Sequence, residues 1–158
     1  KRQVLEHFLH PFKQLQSINS IMKEGGIIVI RVPNYRSIIT FMSIFLFRLS
    51  FGKIDSPLRT VYLFDNDYKH FYHFSPKTLT KMLNLAFFEV LEIRKEHSID
   101  PRRLKLRAKI KDDKSDSFFS NPIVILGTRF ILFFAKILGL QDEMVIVAKK
   151  VKNYEQKK

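Results

Sequence analysis

The sequence contains no cysteine among its 158 residues, and it contains no tryptophan. A disulfide framework and a metal site built from thiolates are therefore excluded, and the absence of cysteine is consistent with a reducing compartment. We expect a cytoplasmic protein, with peripheral contact to a membrane as the alternative. The missing tryptophan does not limit the core, because 46% of the residues are hydrophobic and 13% are aromatic. This composition suits one globular domain and excludes a disordered chain.

Glycine is also scarce, with only five residues in the whole chain. No Gly-x-Gly occurs anywhere, and the only adjacent pair is Gly25–Gly26. The glycine-rich turn with which many α/β proteins hold a nucleotide therefore has no counterpart in this sequence.

Acidic residues are outnumbered, since 15 Asp and Glu stand against 28 Lys and Arg and the formal net charge is +13. Such a charge favours contact with nucleic acid, an anionic membrane or an acidic substrate. No motif of a nucleic-acid-binding fold is present, so we expect no specific nucleic-acid partner. No apolar run reaches the ~18 residues of a membrane-spanning helix.

The segment from Val4 to Asn34 organises the chain. It reads as the end of a strand, a loop, a helix and a buried strand. The helix is indicated by apolar side chains at steps of three and four residues, namely Phe12, Leu15, Ile18, Ile21 and Met22. Gly25 and Gly26 are expected to end this helix. The apolar, β-branched run Ile27–Val32 that follows is typical of a parallel strand covered on both faces.

Ligands of open parallel sheets collect outside the carboxyl ends of the strands. In this sequence those places are the loop at Glu6 and His7 and the loop at Pro33 and Asn34. Both loops carry polar side chains, and Asn34 is our candidate for substrate binding.

Two later segments are apolar almost all the way round, Ile38–Phe51 and Ile123–Leu138. The first has only a thin polar stripe of Ser37, Thr40 and Ser43, and a helix of that kind must be covered on most sides. The cover would be another part of the protein or a second subunit, which gives a homodimer, or the helix would lie at a membrane surface. A further helix is predicted after Ser75 as N-cap and Pro76, with strands at Phe88–Ile93 and Met144–Ala148.

The segment from Arg103 to Lys111 alternates strictly between apolar and basic residues. As a strand it would have one apolar and one basic face. Such a face is either a solvated edge protected from pairing or a surface that binds anions.

Several motifs carry a family resemblance. They are Val-Leu-Glu-His from Val4, Lys-Glu-Gly-Gly from Lys23, Val-Pro-Asn from Val32, the block His70–Pro76 and Ala-Phe-Phe-Glu-Val from Ala86. In this order they resemble the second half of a class I S-adenosylmethionine-dependent methyltransferase, and most of all the small-molecule O-methyltransferases of the ubiquinone-biosynthesis type.

The resemblance implies an α/β, Rossmann-like methyltransferase fold. This chain would be the C-terminal part, with a mainly parallel sheet, an antiparallel last strand and a helical lid insertion. Residues 1–150 would belong to one domain, with the lid at 35–70 and a second insertion at 97–141, and 151–158 would be a mobile basic tail. The implied methyl donor is S-adenosylmethionine, and the acceptor is a small molecule methylated on oxygen or nitrogen.

The resemblance also assigns the site. His7 and Glu6 are the catalytic candidates, because the family's Leu-Glu-His motif lies beside the transferred methyl group and histidine is a suitable general base near neutral pH. Leu5 and Glu6 are the cofactor-binding candidates. In the ubiquinone-type enzymes an acidic residue three positions before the glutamate completes a metal site. The matching residue is Gln3, a neutral and weaker ligand, so we predict no metal.

Tyr72 and His73 are the remaining candidates for substrate binding, since the resemblance places their block at the acceptor pocket. His70 and His73 are three residues apart in a segment that reads as extended, which would put them on opposite faces.

The alternative function is a basic module without catalysis that binds a membrane or another chain through its two apolar helices. An anionic membrane is then the partner that the charge favours.

Overall fold

The computed structural model describes residues 4–55, 58–59, 61, 70–97 and 122–151. The predictions for the alternating segment at 103–111 and for the tail beyond Val151 lie outside these residues. So do most of the predicted second insertion and the second half of the predicted lid.

The described elements follow one another in a mixed α/β order. They are a 3₁₀ turn at Leu5–His7, helix α1 at Pro11–Ile21, strand β1 at Ile27–Pro33, helix α2 at Ile38–Leu49, helix α3 at Pro76–Leu85, strand β2 at Phe88–Glu96, helix α4 at Pro122–Ile137 and strand β3 at Glu143–Lys150.

The start of α3 and the end of α4 agree with the sequence patterns. Ser75 caps α3, where its Oγ accepts a hydrogen bond from the Thr78 amide and the Thr78 side chain completes a capping box. Gly139 follows α4 with φ at +65°, the left-handed conformation that glycine tolerates at a helix end. These predictions are confirmed.

The predicted glycine cap of α1 is wrong. The helix ends at Ile21, and Met22 already has an extended backbone. Gly25, with φ at +75°, lies instead in the turn before β1, and its amide donates to the carbonyl of Lys150. The turn is therefore fixed by pairing with the last strand, which the local sequence does not reveal.

The three strands form one sheet in the order β1–β3–β2. β3 is antiparallel to both neighbours, with Val32 opposite Met144 and Ile93 opposite Ile146. β1 and β2 consequently run in the same direction without pairing with each other. The antiparallel last strand that we predicted is confirmed. Parallel pairing is not seen among the described strands, because the last strand lies between the two strands that share a direction.

One face of the sheet carries the core. Leu15 of α1 and Leu79 and Leu83 of α3 are fully buried in the same cluster as Val32 and Ile146. Helix α3 leads directly into β2 and packs against it.

The other face of β1 is open. Ile27 and Val29 are 52% and 63% exposed, whereas Val32 on the covered face is fully buried. The prediction that this strand is covered on both faces is therefore wrong within the described residues.

Helix α2 lies with its polar stripe inward. Ser37, Thr40 and Ser43 are buried, while Phe41, Met42 and Phe45 are exposed. The described residues do not give α2 the cover that its composition led us to expect. Its first amide, that of Ile38, donates to the Leu140 carbonyl just beyond α4, so the start of α2 lies at the end of α4.

Two lysines of the strands bind carbonyl groups at the ends of two helices. The buried Lys150 Nζ lies 2.6 Å from the carbonyl oxygen of Asn19 at the end of α1. Lys95 Nζ donates to the carbonyl of Gly139, just beyond α4, over 2.9 Å. Both ammonium groups meet carbonyls at the negative end of a helix dipole, where a cation is stabilising. Within the described part of the chain, no helix has the length and apolar character needed to cross a membrane.

Candidate functional site

The 3₁₀ turn Leu5–His7 lies at the edge of the sheet where β1 ends and contacts this strand. Leu5 is buried in the core, which anchors the turn from one side. The backbone oxygen of Glu6 accepts from the Phe71 amide over 2.9 Å and from the Tyr72 amide over 3.3 Å. The loop predicted at Glu6 and His7 is confirmed as a turn, and its Glu6 oxygen bonds to a distant loop.

The carboxyl group of Glu6 is fully buried. Neither of its oxygens accepts a hydrogen bond from the residues that the structure describes. His7 Nε2 lies 3.9 Å from Glu6 Oε1. Burial raises the pKa of Glu6, and the nearby Glu143 carboxylate raises it further, while its own backbone and His7 lower it. Glu6 is therefore poised to exchange a proton or to receive a polar ligand.

His70 joins this turn from the aromatic loop. Its ring centroid lies 4.9 Å from that of His7 and 6.0 Å from that of His73. Burial, followed by the charges of His7 and His73, lowers the pKa of His70 to about 4, against the opposing effect of a hydrogen bond with the Val61 backbone. The prediction that His70 and His73 lie on opposite faces is wrong, since the loop is not a regular strand and turns both rings inward.

Glu6, His7 and His70 thus form one cluster. Each offers a ligand atom, and these atoms all lie within 4.8 Å of one another. Two imidazoles and a buried carboxylate at this spacing can share protons or surround a single cation. Gln3, on which the prediction of no metal depended, lies outside the described residues.

Asn34 lies at the end of β1, beside the same edge, but its side chain is committed to the backbone. Its Nδ2 donates to the Gln141 carbonyl over 2.7 Å, and its Oδ1 accepts from the Arg36 amide over 3.1 Å. The amide is buried and ties the loop after β1 to the start of β3. Its assignment to substrate binding stays a prediction.

Tyr72 and His73 flank the cluster. The Tyr72 hydroxyl donates to the Leu9 carbonyl over 3.0 Å, and its ring stacks on Phe74. His73 lies edge-on to Tyr35, with ring centroids 6.0 Å apart, and burial lowers its pKa. Leu5, the predicted cofactor contact, places its side chain in the core.

Sequence reasoning missed two groups at this edge. Glu143 binds Arg31, with 2.7 Å between Oε2 and Nη1, and raises the pKa of Glu6. His97 Nδ1 lies 3.3 Å from Asp142 Oδ1. The sequence did contain a signal for these acidic residues. An antiparallel last strand starts at the edge where β1 and β2 end, so its first residues lie at that edge.

Comparisons with known proteins place this geometry in context. A family model described as "Methyltransferase domain" matches residues 1–93. The crystal structure of the [4+2]-cyclase SpnF is similar with a TM-score of 0.49 and 15% identity, over 94% of this chain and 47% of that one. A SAM-dependent methyltransferase from Archaeoglobus fulgidus is similar with a TM-score of 0.46 and 24% identity, over 94% of this chain and 56% of that one. The chain therefore spans about half the length of these two proteins. No curated protein matches it.

Proposed function

The chain belongs to the methyltransferase domain family, and on this premise we propose that it contributes the acceptor side of an enzyme that methylates an oxygen or nitrogen atom of a small molecule. The observation that carries this proposal is the cluster of Glu6, His7 and His70 at the edge of the sheet where β1 ends. A base, a buried carboxyl group and aromatic side chains converge there.

The proposed methyl donor is S-adenosylmethionine, whose sulfonium supplies an already activated methyl group. The protein has to align the acceptor and remove its proton. His7 is partly exposed beside Glu6 and is the proposed base, because it can take a proton from an acceptor hydroxyl as the oxygen is methylated. The Glu6 carboxyl group, 3.9 Å from His7 Nε2, would stabilise the resulting imidazolium when it is ionised.

The aromatic loop supports a phenolic acceptor. Tyr72 and His73 present flat rings in the same loop as His70, whose ring lies 4.9 Å from that of the proposed base, and Tyr35 lies beside His73. Aromatic rings pack well on an aromatic ligand. The resemblance to the ubiquinone-type O-methyltransferases also favours a phenol or catechol oxygen as the acceptor.

The cofactor fits only in part. The buried oxygens of Glu6, which accept no hydrogen bond within the described residues, suit a polar donor on a ligand. However, the sequence has no Gly-x-Gly turn to hold the methionine and ribose of the donor. In the described ranges β1 pairs with β3 alone, so its second edge is open to another strand. We therefore propose that further polypeptide pairs with β1 and supplies the missing turn.

The experiment is methyl transfer from radiolabelled S-adenosylmethionine to a panel of phenols, catechols and amines. It compares the 158-residue chain with the protein expressed from the longest open reading frame that contains it. We expect turnover only for the second protein, and only with acceptors that carry an ionisable hydroxyl or amine. Absence of transfer to every acceptor by a folded protein that binds the donor would overturn the proposal.

A further inference from the structure

The apolar side chains of α2 and α4 face away from the protein. Ser37, Thr40 and Ser43 are 2%, 3% and 3% exposed, whereas Phe45 on the opposite side of α2 is 58% exposed. A helix that faces water shows the reverse arrangement, with the polar stripe outside. Two members of the buried stripe bond to each other, since Ser37 Oγ accepts from the Thr40 amide and bonds to the Thr40 hydroxyl.

Helix α4 exposes apolar side chains as well, although its buried side chains are also apolar. Leu132 and Ala135 are buried against the protein, while Phe130 and Phe133 are 64% and 60% exposed. Because Ile38 bonds to Leu140, the start of α2 and the end of α4 meet at one edge of the sheet. We call the exposed apolar side chains of both helices the apolar surface, namely Phe41, Met42, Phe45, Phe47, Leu49, Leu126, Phe130, Ile131, Phe133, Phe134 and Ile137. Exposed apolar groups in this number on two helices mark an interaction site.

The two sequence segments that contain this surface carry charges of one sign. No Asp or Glu occurs from Gly25 to Ile54 or from Ser117 to Gln141. Arg48 in α2 and Arg129 and Lys136 in α4 are exposed among the apolar side chains. A cleft of about 310 Å³ at the end of α4 is lined by Arg36, Lys77 and Lys95.

We propose that the apolar surface docks on an anionic lipid bilayer, with α2 and α4 lying in the interface and their basic residues near the lipid phosphates. Apolar insertion and attraction between basic residues and anionic headgroups then act together. The basic residues favour an anionic membrane over a second copy of this chain as the partner, because a second copy would bring further cations to the contact and the two sets would repel each other. The proposal does not depend on methyl transfer.

The test is co-sedimentation of the protein expressed from the longest open reading frame that contains this chain with phosphatidylcholine vesicles that do or do not contain phosphatidylglycerol. We expect binding to the anionic vesicles, weak binding to the neutral ones, and release at high salt, since the Debye length shrinks from ~8 Å to ~3 Å at 1 M. The variant Arg48→Gln, Arg129→Gln, Lys136→Gln should lose on the order of 100-fold in partitioning, at roughly 5-fold per residue.

Matched control variants carry the same kinds of substitution, basic to Gln and apolar to Gln, in or beside α1 and α3. Lys13→Gln, Lys23→Gln, Lys81→Gln removes the same charge from exposed positions in or beside α1 and α3 and should retain binding. Phe45→Gln with Phe133→Gln should weaken binding, whereas Ile21→Gln with Leu85→Gln should not. Circular dichroism establishes that each variant is folded.

Two results would overturn the proposal. One is equal sedimentation with neutral and anionic vesicles, or an equal loss of vesicle binding in the Arg48, Arg129, Lys136 variant and in the Lys13, Lys23, Lys81 control. The other is that the Phe45 and Phe133 changes dissociate a dimer, as measured by analytical ultracentrifugation, while vesicle binding stays unchanged. That outcome would assign the apolar surface to a second copy of the chain.

Discussion

The imidazole rings of His7 and His70 lie with their centroids 4.9 Å apart, although one belongs to the turn Leu5–His7 and the other to the aromatic loop. The backbone oxygen of Glu6 holds the two segments together, since it accepts from the amides of Phe71 and Tyr72. A proton taken up by one ring therefore acts on the charge state of the other.

The first prediction concerns the base. In the protein expressed from the longest reading frame, His7→Ala should lower turnover by ~10² to 10⁴ and leave the affinity for S-adenosylmethionine nearly unchanged, because a general base acts only in the chemical step. Radiometric kinetics and calorimetric titration measure the two quantities. His10→Ala, at an exposed position beyond the cluster, is the control. An unaltered turnover number in His7→Ala would remove this residue from the mechanism.

The second prediction uses the low pKa of His70. Its folded pKa is about 4, below the ordinary 6.5, so the folded state binds fewer protons than the unfolded state between these values. The contribution of His70 to stability is therefore lost as pH falls from 6.5 toward 4. We expect His70→Asn to lose less stability than the parent chain over this window in chemical denaturation. Parallel losses in both proteins would contradict the assignment.

Glu6 gives the opposite sign. Its folded pKa is raised above 4.5, so its stabilising contribution is present below pH 4.5 and lost as pH rises through the folded value. Glu6→Gln should consequently be more stable than the parent chain at pH 7, with this advantage shrinking toward pH 4. Thermal unfolding at a series of pH values measures the difference, and Glu24→Gln at an exposed position is the control. A pH-independent difference would show that burial does not perturb Glu6.

The fourth prediction concerns Lys150, which is 1% exposed and donates to the carbonyls of Asn19 and Met22. Lys150→Met should cost about 2–4 kcal/mol of unfolding free energy, because two charge-assisted hydrogen bonds are lost and two carbonyls are left without their donor. Lys149→Met, next along β3 but exposed, should stay within ~0.5 kcal/mol. Urea denaturation compares them, and similar losses would argue against the capping role.

The fifth prediction concerns the donor. The 158-residue chain should bind S-adenosylmethionine with a dissociation constant weaker than ~10 μM, which corresponds to about −7 kcal/mol. The reason is the missing glycine-rich turn. Tighter binding in a calorimetric titration would mean that the described residues hold the cofactor in another way.

Local patterns in the sequence determined most of the elements. Helix α3 begins at Ser75 and Pro76 as predicted, and Gly139 follows α4, because caps and periodicity depend on residues within a few positions of one another. The match to the methyltransferase domain family was likewise readable from the ordered motifs. Glu6 and His7 could be selected as candidates for the same reason.

Only the tertiary structure decided how these elements meet. The position of β3 between β1 and β2 could not be predicted, since strand neighbours depend on hydrogen bonds between residues far apart in the chain, such as Val32 and Met144 or Ile93 and Ile146. His70 reaches His7 because a backbone oxygen at Glu6 captures a distant loop. Helix α2 turns its serines and threonine inward for a similar reason: periodicity fixes which residues share a face, but the surrounding chain fixes which face is buried.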